Sequence, residues 1–229
     1  MSAVAWWYVI DEQAGLYCYQ KLEDDVCTLR ATALRLADGS FCVVSPIKET
    51  AEEGHRWLEE RGGVSVLLAP NGFHNMGLQS FVDRHGAFAV ANSRRVTKVT
   101  GLETSPLEAL AERLPQHARL VPIPGSKVGE VWLVVETSQG PLWVVGDAFT
   151  YFPRTPRTLR GLVLWLFNFT PGLCIGSSFK HIALADRAAY REWLFERLAE
   201  APPTRLVPCH GHPVDVSGQE LLDLARRRL

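Results

Sequence analysis

The chain has 229 residues, 47% of them apolar and 21% charged, which suits one well-sized core and one domain spanning 1–229. Its 24 basic and 25 acidic residues nearly cancel, which excludes the electrostatic footprint of a general nucleic-acid binder and leaves a small-molecule substrate as the expected partner. Five cysteines, an odd number and none in a Cys-x-x-Cys pair, argue against a disulfide framework; with no signal-like pattern over Met1 to Ile10, a cytoplasmic setting is expected.

In chain order, Cys27 to Leu36 alternates as a half-buried strand does, Ala37-Asp38-Gly39-Ser40 supplies turn chemistry, and Phe41 to Ser45 completes a hairpin. Lys48 to Arg61 carries Ala51, His55 and Leu58 at helical spacing among charges, and Gly62-Gly63 ends it. A short buried strand, Val64 to Leu68, leads into the loop Ala69 to Gly77, then a helix from Leu78 to Arg84 and a strand from Ala87 to Ala91. A helix from Pro106 to Leu114 precedes the strand Arg119 to Ile123. Glu130 to Glu136 and Leu142 to Val145 then form a hairpin that runs into Gly146-Asp147.

The last third opens with an apolar segment, Leu159 to Gly176, interrupted by Asn168, Thr170 and Pro171 well short of the ~20 residues a spanning helix needs. No membrane span is expected there, but a buried or pocket-lining helix. A strongly amphipathic helix from Ala185 to Ala199, a strand from Thr204 to Val207 and a terminal helix from Gly218 to Arg228 follow. Hairpins first and αβ units later imply mixed sheets covered by helices.

Three loops that follow apolar strands carry the side chains able to do chemistry: His74 and Asn75 after the first, Asp147 after the second, His210 and His212 after the third. Strand ends gather at one edge in layered α/β folds, and two imidazoles with a carboxylate suit a first-row divalent ion. Each residue has a plainer reading as a cap or turn residue bonded to local backbone. Cys209 reads as a nucleophile or as a small packing residue, and Trp6, Trp7, Trp57, Trp132, Trp143 and Trp193 as packing.

Four ordered segments, Val66 to Gly77, Ile123-Pro124-Gly125-Ser126, Val145-Gly146-Asp147 and Val207-Pro208-Cys209-His210-Gly211, resemble the motifs of the metallo-β-lactamase superfamily. The resemblance implies a four-layer αββα sandwich, an α/β fold of two mixed sheets with outer helices. It also implies a degenerate metal site. Pro70 and Gly72 stand where the family has its two leading histidines, His74 stands at the Asp position, Asn75 at the closing His, and Ser126 at the His of the Pro-Gly-His turn. Neither Pro70 nor Gly72 offers a ligand atom, so a two-metal site is excluded on this alignment.

What remains is a mononuclear set of His74, Asp147 and His210, with Asn75 or His212 expected to orient a water beside a single zinc, iron or manganese ion. The implied activity is hydrolysis of an ester, thioester, lactone or phosphoester. The alternative is a catalytically inactive binding or interaction protein without metal, with the apolar segment as its recognition surface and homodimerisation as one use of it.

Overall fold

The computed structural model describes residues 6–23, 26–154 and 171–229. The strands Tyr8–Asp11 (β1), Leu16–Glu23 (β2), Val26–Arg35 (β3), Phe41–Val44 (β4), Val64–Ala69 (β5), Phe88–Ala91 (β6) and Thr104–Ser105 (β7) form a seven-stranded sheet in sequence order. Its first four strands pair antiparallel and the rest join in parallel. The parallel part needs crossovers, supplied by helices Glu52–Glu59 (α1), Leu78–His85 (α2) and Arg94–Thr100 (α3).

The second sheet takes its strands from the other half of the chain: Ala118–Pro122 (β8), Val131–Thr137 (β9), Gly140–Val145 (β10), Arg205–Pro208 (β13) and Val214–Asp215 (β14), in the order β14-β13-β10-β9-β8. A short helix, Leu107–Ala111 (α4), links the two sheets in sequence. Thr150–Phe152 (β11) and Gly172–Cys174 (β12) make a separate antiparallel pair, followed by a π-helical turn at Phe179–Ala183. Helices Arg187–Glu200 (α5) and Gly218–Arg228 (α6) complete the chain, capped at their N-termini by Asp186 and by a Ser217–Glu220 capping box.

The period of two along the strands sorts the core into three layers. On β9, Val131, Leu133 and Val135 face the first sheet, where they meet Leu34, Val44, Val66, Leu68 and Val90. The alternate residues Trp132 and Val134 face outward and pack with Trp143 against Tyr190 and Leu194 of α5 and Leu221 and Leu224 of α6. On the far side, Ala31, Val43 and Leu67 meet Leu58 of α1, Phe81 of α2 and Val96 of α3. This is the expected αββα sandwich of two mixed sheets.

Most expected elements are present, with adjusted ends. The helix expected from Lys48 begins at Glu52, because Thr50 turns back to bond Ile47 O and Ala51 is extended, its N–H donated to the Tyr19 hydroxyl. The helix expected over Pro106 to Leu114 shortens to α4. The α5 helix buries only a narrow stripe, Tyr190, Leu194 and Leu198. Of the tryptophans read as packing, Trp7, Trp132 and Trp143 are buried, whereas Trp6 is exposed. Most of the apolar segment expected from Leu159 falls on residues 155–170, outside the described residues. No described helix is long and apolar enough to cross a membrane.

Between α1 and α2, the buried rings of His55 and His85 touch edge to edge, Nδ1 to Nε2 at 2.9 Å, and both pack on Phe81. Burial, and then the neighbouring His55, push His85 down from 6.5 to about 4, although Glu59 lies nearby. Between those values the unfolded chain binds a proton that the folded chain refuses, so stability rises with pH across the window and is lost on acidification. Relative to the variant His85→Gln, the wild type is expected to lose about 2 kcal/mol more stability between pH 7 and pH 5 in urea titrations. Equal losses in both proteins would rule this out.

Candidate metal centre

The loop after β5 is shaped by hydrogen bonds of its own main chain and of Asn71. Pro70 O accepts from Val131 N and Gly72 N donates to Val128 O, so the loop is tied to the start of β9. Asn71 is fully buried, and its Oδ1 accepts from Phe73 N, closing a turn that brings His74 inward. Gly77 passes so near the segment after β4 that a Cβ there would stand 2.0 Å from Pro46 O. His74 is thereby buried with its Nδ1 bonded to Ser45 Oγ at 2.7 Å. Ser45 holds a left-handed backbone, φ 53°, the one non-glycine residue with positive φ among those described.

Asp147 follows β10 directly, and its Oδ1 lies 3.3 Å from His74 Nε2 and 3.3 Å from His210 Nε2. The three ligand atoms lie within 4.8 Å of one another. His210 donates its Nδ1–H to Thr28 O of β3 at 2.8 Å, which fixes the orientation of the ring and aims Nε2 at Asp147. The same loop is stitched to β3 by Arg30 N to Cys209 O, Gly211 N to Cys27 O and the buried Arg30 guanidinium to Gly211 O. Burial acts to raise Asp147, but the His74 charge and the hydrogen bonds of both imidazoles overcome it and hold the carboxyl well below its ordinary range.

Behind Asp147 stands a second carboxylate that the sequence reading treated only as the start of a strand. Glu130 is fully buried and accepts from Trp132 Nε1, Ala148 N, Asp147 N and Asn71 Nδ2. Burial and then the charge of Asp147 push it up to about 7. Among the described residues, no lysine or arginine forms an ion pair with either carboxylate. Two borderline nitrogen donors, one carboxylate oxygen and a local excess of negative charge fit a divalent first-row cation.

The other expected site residues lie differently. Asn75, expected beside a bound water, donates its amide to Gly72 O and so locks its own loop. His212, expected in the same role, uses Nε2 to accept Cys27 N at 3.1 Å, and burial followed by Arg30 pushes its ring down. Both are held by nearby backbone. Cys209 is buried, and burial and then the Asp147 charge push its thiol up, which suits the packing reading. Glu130, Asn71, Ser45 and Arg30 were not singled out as site residues. The legible signals were a carboxylate immediately before the apolar run 131–135 and an arginine, Arg30, in the middle of the alternation of 27–36.

No family model matches the chain, and no curated protein matches it in sequence. Solved structures do match. The mono-zinc form of a metallo-β-lactamase from Pseudomonas aeruginosa superposes with a TM-score of 0.59 over 97% of this chain and 95% of that one, at 16% identity. The chain has the metallo-β-lactamase fold. A metallo-β-lactamase from Erythrobacter litoralis, with β-mercaptoethanol in its active site, gives 0.60 over 96% of each chain at 14% identity. A mutant flavo-di-iron protein from Thermotoga maritima gives 0.57 at 10% identity, covering 97% of this chain and 61% of that one. Likeness across proteins named for lactamase and for di-iron flavoprotein function identifies the metallo-β-lactamase fold and leaves the reaction to the site itself.

Proposed function

We propose that this protein is a hydrolase that works with a single divalent ion, zinc, iron or manganese, held by His74, Asp147 and His210. The observation that carries this reading is the convergence of three ligand atoms within 4.8 Å, with each imidazole's other nitrogen bonded to protein. Three protein ligands leave room for substrate or water. When bound, such an ion polarises a carbonyl and lowers the pKa of a coordinated water. Thr28 and Ser45 aim the two rings, and Asp147 supplies a permanent negative charge.

A cavity of about 280 Å³ opens onto Asp147 and His210. Its remaining described walls are Phe73, Phe152, Phe179, Ile182, Ala183 and Ser178. Such walls suit an apolar acyl group placed with its carbonyl at the His–Asp end, which favours an ester, thioester or lactone over a phosphoester. The test is reconstitution with zinc, iron or manganese, followed by assay on p-nitrophenyl acyl esters and on a p-nitrophenyl phosphodiester. The expected result is about one metal per chain, with ester cleavage that a chelator removes and that exceeds phosphodiester cleavage. Protein that takes up none of the three ions would sink the proposal.

A second reading is favoured by one feature, the direct contact of both imidazoles with Asp147 Oδ1 at 3.3 Å, which satisfies the cluster without any ion. On that reading the fold serves as a metal-free binding protein, and refusal of metal is its expected result.

A further inference from the structure

We propose that Asn71 and Glu130 form a positioning relay that fixes Asp147 as a one-oxygen ligand, and this rests on the mononuclear reading above. The two oxygens of Asp147 are not equivalent. Oδ1 faces both imidazole Nε2 atoms, whereas Oδ2 accepts from Asn71 Nδ2 at 2.9 Å. The same amide nitrogen lies 3.2 Å from Glu130 Oε2, so one NH2 group bridges two carboxylates through its two protons.

Glu130 closes the circuit by accepting the backbone N–H of Asp147 itself. The carboxylate is therefore fixed at its side-chain oxygen through Asn71 and at its main chain through Glu130. Gly146 makes this arrangement fit, since a Cβ there would stand 3.0 Å from Asn71 Nδ2 and 3.2 Å from Glu130 Cδ. Asn71 is held in turn by its own Oδ1, which accepts Phe73 N. Every polar atom of the Asn71 side chain is thus engaged inside the protein, and its amide faces the second oxygen of Asp147 rather than solvent. A carboxylate free to rotate would share its oxygens between the rings, whereas a clamped one presents a single oxygen in a set direction.

The test is cobalt(II) binding by wild type and Asn71→Ser, with folding of each checked by far-UV circular dichroism. Loss of the amide is expected to weaken cobalt binding by about 10- to 100-fold and to change the visible ligand-field spectrum of the bound ion. A merely structural role would alter thermal stability and leave that spectrum unchanged. Should Asn71→Ser fail to fold, the wild-type protein still decides. The relay predicts an Asn71 side-chain amide signal that is protected from solvent exchange and shifts when zinc is added. An amide signal indifferent to zinc, or a folded variant with wild-type affinity and spectrum, overturns the relay alone. Wild-type protein that binds no cobalt or zinc overturns the metal centre and the relay with it.

Discussion

Asp147→Asn is expected to yield a folded protein that no longer holds metal, with cobalt or zinc affinity reduced by about 100- to 1000-fold, the share one ligand of several carries in such sites. The substitution preserves shape but reverses the chemistry at one atom. The amide oxygen of the new side chain can take the place of Oδ2 and accept from Asn71 Nδ2. Its NH2 then points toward His74 Nε2 and His210 Nε2, 3.3 Å from the atom it replaces, and donates where a cation would have been ligated. The stabilisation that the ionised carboxylate draws from both imidazoles disappears as well, so the metal-free variant should melt below the wild type. Metal analysis and a calorimetric scan, run on the same preparation, check both halves. Undiminished metal uptake would mean that Asp147 is not a ligand.

Gly211→Ala should damage both the fold and the centre. Gly211 lies between the two histidines of the last loop with φ 97°, and an added Cβ would stand 2.0 Å from Tyr151 O, with Tyr151 C at 2.7 Å. No flexible side chain is available to yield; two stretches of main chain must separate. They are joined by His212 N to Tyr151 O, and the loop is tied on its other side by Gly211 N to Cys27 O. Left-handed strain adds about 1 to 2 kcal/mol, and the clash should bring the total to about 3 kcal/mol or more. That predicts a fall in melting temperature of roughly 6 to 12 °C, together with lost cobalt binding because His210 is the adjoining residue. A variant with wild-type melting and metal affinity would show that the loop has another way to turn.

How much of this could be read in the residues depended on where each signal comes from. A continuous apolar run such as 131–135, buried on both faces, and helices with plain stops, such as Lys48 to Arg61 before Gly62-Gly63, were legible because burial and stop signals are written in neighbouring residues. The hairpin of β1 and β2 was not, because Tyr17, Tyr19 and Lys21 alternate with Cys18, Gln20 and Leu22, and neither set is cleanly apolar. The α3 helix was missed for a related reason, being short, basic and rich in β-branched residues that favour strands. At the site, positions 74, 147 and 210 were marked by their place after strands and by resemblance. Glu130 and Asn71 were not, since a buried carboxylate paired with an amide is defined by contacts 59 residues apart. The backbone bonds of Asn75 and His212 could not be read either, because proximity in sequence says nothing about which backbone group will claim a side chain first.

The division of the chain between its two sheets bears on when the centre comes into being. His74 belongs to the earlier half, Asp147 and His210 to the later, and the ring of His210 is aimed by Thr28, back in the earlier half. Neither half can assemble a competent set of ligands alone, however well its own sheet is formed. Ligand geometry is therefore a product of docking, reached only once the inner faces have met, and an ion seated there would fasten the two halves of the polypeptide together like a rivet through two plates.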